Sequence, residues 1–182
     1  MDVGRGPARA GRHRADLAVR EEATERHVAE VALERDQAGR VLGADVAAPQ
    51  PLSLGLSVPV EMVAACAGLL AGDVLTAAHP PMPASVGNPF VIAEVTPEAL
   101  SRARPDLAAF GHARDARPEM GGRFALYLYA RGEEADALRA RRFRPLSGPW
   151  EDPATGSPSA PLAEILLSRG RAAERPRSVE LC

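Results

Sequence analysis

Residues 150–157 read Trp-Glu-Asp-Pro-Ala-Thr-Gly-Ser, and this stretch decides more about the fold than any other part of the chain. Two adjacent carboxylates precede a proline, and small residues with two hydroxyls follow. An apolar run of helical character, residues 161–167, comes directly afterwards. A loop of small residues leading into a helix exposes backbone N–H groups at the positive end of the helix dipole. The stretch is therefore typical of an anion-binding loop.

Asp152 lies at the mouth of this predicted loop. A carboxylate beside a bound acid can take and return a proton, so the pattern indicates acid/base chemistry on a small acidic metabolite. The alternative interpretation is structural, because an aspartate before a proline is also common in turns and at helix N-caps. The residues alone leave both interpretations open.

Residues 151–157, the signature loop, resemble the E-D-P-A-T-G-S signature of the PhzF family. These proteins are phenazine-biosynthesis-type isomerases, related in fold to diaminopimelate epimerase. Weaker agreement extends from about Val28 to Leu167, at residues 48–51, 86–95, 104–107 and 142–145.

The resemblance implies an α+β fold of the diaminopimelate epimerase type. Such proteins have two similar lobes, each a curved sheet wrapped around a central helix, with the active site between them. On that template, residues 85–170 resemble the second lobe and residues 25–84 the closing part of the first. Residues 1–24 are expected to be an irregular N-terminus, and residues 171–182 a truncated tail.

The resemblance also implies a role for each matching residue. Asp152 corresponds to the catalytic aspartate, and Thr155, Gly156 and Ser157 to the substrate-binding part of the loop. No cofactor or metal is expected. The proton-abstracting Glu and the G-H-P-T-type segment of the family are not found, so the chain alone is expected to be impaired or inactive. His112 follows a glycine but lacks the proline of that segment, and is interpreted as a surface loop residue.

A second hypothesis is a non-catalytic binding or interaction module. One lobe of a two-lobed fold exposes the apolar face that normally meets the other lobe. Such a chain is expected to form a homodimer or to bind a complementing lobe.

Charge and composition exclude several other classes of protein. The net charge of −2 gives no signal for a nucleic-acid partner, and no apolar run is long enough for a membrane span or a secretory signal, so the expectation is cytoplasmic. The two cysteines do not form a disulfide framework, and Cys66 is predicted to be a core residue. Four arginines, at positions 139, 141, 142 and 144, are interpreted as a solvated strand face or as partners of Glu133, Glu134 and Asp136. The alternative is that they steer an anionic substrate towards the loop.

The hydrophobic pattern predicts strand pairs and single helices, which indicates an α+β architecture. Strands are predicted at residues 26–33, 41–46, 88–95, 124–130 and 138–143, with a hairpin turn at residues 36–39. Helices are predicted at residues 58–70 and from the N-cap Thr96 onwards, the latter ended or kinked at Pro105. The proline-rich residues 80–83 are expected to be a loop and the best domain boundary.

Overall fold

The computed structural model describes residues 13–16, 30–46, 48–132, 137–152, 156–168 and 178–181. The chain divides into two compact units, Met1–Pro51 and Leu52–Cys182. Each unit has its own sheet.

The first unit contains an antiparallel sheet of three strands, β1 (His13–Asp16), β2 (Glu30–Arg35) and β3 (Val41–Val46), in that order. The turn between β2 and β3 is held by Asp36, whose carboxylate accepts hydrogen bonds from the amides of Ala38 and Arg40, each at 2.9 Å. The hairpin turn predicted at residues 36–39 is confirmed.

The second unit is built on a seven-stranded mixed sheet. Its strands are β4 (Ser53–Leu54), β5 (Val74–Leu75), β6 (Met82–Ser85), β7 (Phe90–Val95), β8 (Leu126–Arg131), β9 (Ala137–Phe143) and β10 (Ser178–Leu181). The order across the sheet is β10-β9-β8-β7-β6-β4, and β5 also pairs with β7. The pairs β7–β8 and β9–β10 are parallel, and the others are antiparallel.

In the described residues of this unit, four α-helices accompany the sheet: α1 (Val60–Ala67), α2 (Pro97–Arg102), α3 (Leu107–Ala116) and α4 (Ser159–Ser168). Helix α1 ends at Gly68, whose φ of 64° is the left-handed conformation that glycine adopts readily. Helix α2 begins at Thr96, whose hydroxyl accepts a hydrogen bond from the amide of Ala99, as predicted for an N-cap.

The helices cover both faces of the sheet. Residues of α1, α2 and α3 pack with Val91, Ala93 and alternate residues of β8 in one buried cluster. Leu162 and Ile165 of α4 pack with Ile92, Tyr127 and further alternate strand residues in a second cluster. Because successive side chains of a strand point to opposite faces, the two clusters lie on opposite sides of the sheet. We call these sides the three-helix face and the α4 face.

The prediction of a loop at residues 80–83 is wrong for Met82 and Pro83. These two residues belong to strand β6, which lies in the interior of the sheet. Pro83 cannot donate a ladder hydrogen bond, which is why the sequence argued against a strand. The carbonyl of Pro83 accepts a hydrogen bond of 2.8 Å from Gly55, just after β4 has ended. A Cβ at Gly55 would lie 3.0 Å from the Pro83 ring, so the absence of a side chain there permits the close approach.

The helix predicted from Thr96 was expected to end or kink at Pro105, and in the structure it ends before that proline and a second helix follows. Helix α2 ends before Pro105, and α3 begins after Asp106, whose carboxylate accepts a hydrogen bond of 2.9 Å from the amide of Ala109. His112 is exposed on α3, so its interpretation as a loop residue is wrong. The sequence signal for the second helix was Asp106, an N-cap residue directly after Pro105, and it was missed.

The predicted lobe boundary between residues 84 and 85 refers to the halves of the family's fold and stays a prediction. In the structure these two residues lie within β6. Of residues 1–24, the structure describes only His13–Asp16, which form a strand rather than irregular chain.

Candidate active site at the start of helix α4

The acidic pair of the signature loop lies alongside strand β9. Phe143 and Glu151 form an antiparallel bridge, and the amide of Asp152 donates to the carbonyl of Arg142 at 3.3 Å. This register places Glu151 beside Arg141 on one face of the sheet and Asp152 beside Arg142 on the other. Two adjacent acids are thus separated by the thickness of the sheet.

Glu151 is held on the three-helix face by a two-pronged ion pair. Arg141 Nε lies 2.6 Å from Glu151 Oε1, and Arg141 Nη2 lies 2.7 Å from Oε2. Arg141 Nη1 also donates to the carbonyls of Leu100 and Ala103, at the C-terminal end of α2. A guanidinium that binds a carboxylate bidentately and caps a helix has a fixed position. Glu151 therefore anchors the loop to the fold.

Asp152 is on the α4 face, where its Oδ2 accepts a hydrogen bond from Arg142 Nη2. The Arg142 side chain is 8% exposed and that of Asp152 is 30% exposed. The guanidinium carbon of Arg142 lies 5.8 Å from the ring centroid of Phe90, within the range of a cation–π contact. A buried arginine thus orients a carboxylate that solvent, or a ligand, can still reach.

Tyr127 and Ser159 connect strand β8, next to Arg142, to helix α4. Tyr127 is fully buried and pairs across the ladder with Arg142. Its hydroxyl lies 2.8 Å from Ser159 Oγ, in the first residue of the helix. Burial raises the pKa of Tyr127, although the hydrogen bond with Ser159 and the nearby Arg142 charge oppose the shift. The phenol therefore acts here as a neutral hydrogen-bonding group.

The helix start differs from the predicted anion-binding arrangement. The carbonyl of Pro158 accepts the first helical hydrogen bond, from Leu162 at 3.3 Å, so Pro158 is the N-cap residue. The amide of Ser159 donates to the carbonyl of Gly156, and Pro158 and Pro161 have no N–H. Few amides of the first turn are therefore available to an anion.

The predicted substrate-binding residues are only partly described. Gly156 and Ser157 are exposed directly before α4, while Thr155 lies outside the described residues. Asp152, Gly156 and Ser157 flank the start of α4 in the chain, and their roles stay predictions.

Two of the four arginines of the cluster, Arg141 and Arg142, do not form the solvated strand face that the sequence indicated. The side chains of Arg141 and Arg142 are 10% and 8% exposed, because each pairs with an acid ten positions further on. The acids proposed as their partners, at positions 133, 134 and 136, lie outside the described residues. The available signal was an Arg-Arg pair and a Glu-Asp pair on either side of a proline- and glycine-containing turn. Tyr127 and Ser159 carried no comparable signal.

Other kinds of site find less support in the described part of the chain. No three His, Cys, Asp or Glu side chains there are grouped as metal ligands. No helix in those ranges is long and apolar enough to cross a membrane. A surface pocket at the β4 edge of the sheet does not include the signature loop; it is lined by Ser53, Leu54, Gly55, Pro83, Ala84, Ser85, Pro89, Glu119 and Met120.

A mixed sheet with helices over both faces defines an α+β protein of epimerase-like fold. The sequence profile described as phenazine biosynthesis-like protein (PhzC-PhzF) matches residues 10–181. The chain belongs to this family, which confirms the resemblance of its signature loop.

Solved structures show the same fold. A predicted epimerase from Pseudomonas aeruginosa is 24% identical, with a TM-score of 0.63 over 91% of this chain and 52% of its own. A PhzF-family phenazine biosynthesis protein from Bacillus anthracis is 18% identical, with a TM-score of 0.59. The match covers 76% of this chain and 46% of that protein. The chain thus spans about half the length of these two proteins. No curated protein matches the sequence significantly.

Proposed function

We propose that the chain forms one wall of the active site of an isomerase or epimerase that moves a proton on a small acidic metabolite without a cofactor. The observation that supports this most is the separation of the acidic pair. Glu151 is anchored by Arg141, whereas the Asp152 side chain is oriented by Arg142 on the α4 face and is 30% exposed.

In this proposal Asp152 contacts the substrate and carries the proton, because a positioned carboxylate is a competent general acid or base. Arg142 is a positioning residue, since it is almost fully buried against Phe90 and directed at Asp152. Thr155, Gly156 and Ser157 bind the acidic group of the substrate. Because Pro158 at the N-cap and Pro161 in the first turn of α4 have no N–H, that binding depends on the hydroxyls and the amides of the loop itself.

The opposite wall would carry the proton-abstracting Glu and the G-H-P-T-type segment implied by the family. We therefore expect the isolated chain of 182 residues to bind small acids but to exchange their protons slowly. A role in phenazine biosynthesis, a cytoplasmic location, and a homodimer or a complementing lobe are parts of the same proposal.

The alternative is an interaction module, and exposed apolar side chains at one edge of the sheet favour it. Leu54 in edge strand β4 is 47% exposed, and Leu56 just after it is 81% exposed. Size-exclusion chromatography with light scattering tests this role. A dimer that Leu56→Glu dissociates would support it, and a monomer at all concentrations would contradict it.

The main proposal is tested with the isotopically labelled chain and four probes: lactate, malate, alanine and glutamate. We expect at least one probe to shift the amide resonances of Asp152, Gly156 and Ser157. Asp152→Asn should weaken this binding by roughly tenfold, the factor that corresponds to about 1.4 kcal/mol. Asp115→Asn is the matched control, because Asp115 is an exposed helix residue paired with its neighbour Arg114.

Loss of the Cα–H signal of each probe in D2O measures proton exchange in the same samples. We expect slow exchange by the chain, reduced further in Asp152→Asn. Binding that leaves the loop resonances unchanged, or exchange that is equal in Asp152→Asn and in the native chain, would remove Asp152 from the mechanism. Fast, Asp152-dependent exchange would show instead that the chain is active alone.

A further inference from the structure

The turn between strand β9 and the signature loop is held together by one residue, Arg144. Its Nη2 donates to the carbonyl of Ser147 at 2.6 Å, and its own carbonyl accepts a hydrogen bond of 3.2 Å from the Ser147 amide. The amide of Arg144 donates to the carbonyl of Trp150 at 3.3 Å, which brings the chain back alongside β9. Arg144 therefore contacts the turn both in its middle and at its end.

The guanidinium of Arg144 also lies directly against Gly148. A Cβ at Gly148 would be 3.1 Å from Nη2 and 3.2 Å from Nε, so a side chain there would push the guanidinium away. The Nε atom is buried, and within the described part of the chain it has no hydrogen-bond partner. A buried donor that makes no hydrogen bond lowers stability, so stability alone does not explain why the guanidinium lies here.

The register of the chain after this turn determines which acid faces which side of the sheet. Phe143 lies opposite Glu151, and Arg142 lies opposite Asp152. A shift of one position would place Glu151 opposite Arg142 and Asp152 opposite Arg141, and the two acids would exchange faces. Each acid would still have an arginine across from it, so ion pairing is compatible with both registers. In a hairpin the register is set by the length and geometry of the turn.

We propose that Arg144 is a positioning residue of the candidate active site: by closing the turn of residues 144–150 against Gly148, it fixes the register that directs Asp152, and not Glu151, to the α4 face. Arg144 acts through the backbone of the turn. The inference rests on the proposed function only for the role of Asp152 as the proton carrier.

The register is measured in the full chain from proton–proton NOEs, whether or not a substrate binds. The amides of Phe143 and Glu151 do not bond to each other, and in such antiparallel pairs the two Cα atoms are only about 4.5 Å apart. The Hα atoms of these two residues should therefore give a strong NOE in the native chain. The absence of this NOE from the native chain would overturn the proposal.

Arg144→Ala should remove the NOE between Phe143 and Glu151 and move the amide resonances of Glu151 and Asp152. Arg123→Ala is the matched control, because Arg123 is an exposed arginine just after another turn. It should leave the NOE and both resonances unchanged. A residue that only stabilised the turn would lower stability without changing which residues pair, so an NOE that persists in Arg144→Ala would contradict the positioning role.

Gly148→Ala tests the same contact from the other side, and it decides the question if Arg144→Ala does not fold. Its Cβ should displace the guanidinium from the Ser147 carbonyl, weaken the same NOE and move the same resonances. Gly72→Ala is the control, because nothing lies within 4 Å of a Cβ added there. In the double variant of Arg144→Ala with Gly148→Ala, the added methyl has no guanidinium to meet, so the resonances should match those of Arg144→Ala alone. Additive shifts would mean that the two residues act separately, against the proposal.

The four acid probes separate this inference from the proposed function. If a probe shifts the Asp152 amide in the native chain but not in Arg144→Ala, both are supported. If no probe binds the native chain while Arg144→Ala loses the NOE, the proposed function fails and the positioning role of Arg144 stands. The amide resonances of Ile92 and Tyr127, paired in the middle of the sheet, should stay in place throughout, which shows that the fold is retained.

Discussion

The two faces of the seven-stranded sheet are both buried, but they are built from different residues. The three-helix face is filled by Ala, Val, Leu, Cys, Met and Phe side chains from α1, α2, α3 and the strands. The α4 face includes the hydroxyls of Tyr127 and Tyr129, together with Arg142, Glu94 and His79. Polar atoms in a core require partners, so the buried polar side chains of this second face are joined to one another by hydrogen bonds and ion pairs.

The acidic pair shows what this difference teaches. Glu151 is directed to the three-helix face and becomes an anchor, fixed by Arg141 to the end of α2. Asp152, the next residue, is directed to the α4 face and stays partly exposed beside a buried arginine. Alternation along one extended segment therefore assigns a structural role to one acid and leaves the other available for chemistry.

The largest expected effect tests whether the three-helix face is the structural one. Phe110→Ala should lower the free energy of unfolding by about 3–5 kcal/mol, because the fully buried ring meets Phe124 edge-on with centroids 5.9 Å apart. Leu107→Ala on the same helix is the control, since that side chain is 48% exposed and should change stability by at most about 0.5 kcal/mol. Urea unfolding measures both. Equal effects would mean that α3 does not pack as described.

An intermediate effect is expected at the anchor of the signature loop. Arg141→Lys retains the charge but loses the two-pronged contact with Glu151 and the hydrogen bonds to α2, so stability should fall by about 1–2 kcal/mol. Arg114→Lys, in an exposed pair with Asp115, should change it by less than about 0.5 kcal/mol. The amide resonance of Asp152 should move only in Arg141→Lys. If neither resonance nor stability changes, Glu151 is not an anchor.

The sequence predicted elements where local signals agreed with the tertiary structure. The hairpin turn at Asp36, the N-cap Thr96 and the buried Cys66 all appear in the structure. The signature loop identified the family. Burial raises the pKa of Cys66 to about 12, in agreement with its interpretation as a core residue.

The failures occurred where long-range pairing overrides local preference. Pro83 lies inside a sheet because β4 ends where its missing N–H would be needed. Arg141 and Arg142 are buried because the turn before Trp150 brings their acidic partners back along β9. The hydrogen bonds among His79, Tyr129 and Glu94 join residues up to 50 positions apart, and no spacing rule indicates them.

The smallest expected effect tests the hydrogen bonds of the α4 face at a single hydroxyl. Tyr127→Phe keeps the ring but removes its contact with Ser159, so stability near neutral pH should fall by about 1 kcal/mol. A cycle with Ser159→Ala separates the shared hydrogen bond from effects on either residue alone. If the losses of stability in the two single variants add up to the loss in the double variant, the hydrogen bond between Tyr127 and Ser159 contributes nothing to stability. The polar groups at this point of the α4 face would then not stabilise the fold.

The same variant has a pH dependence of known sign. Burial raises the pKa of Tyr127 in the native chain, so above about pH 10 the unfolded chain releases a proton that the native chain retains. The unfolded state is therefore favoured as the pH rises through that range, and the native chain loses stability. Tyr127→Phe has no such proton and should lose less between about pH 9 and pH 11. If stability fell equally with pH in the native chain and in Tyr127→Phe, the burial of this phenol would be contradicted. The contrast between the two faces of the sheet would then lose its support at Tyr127.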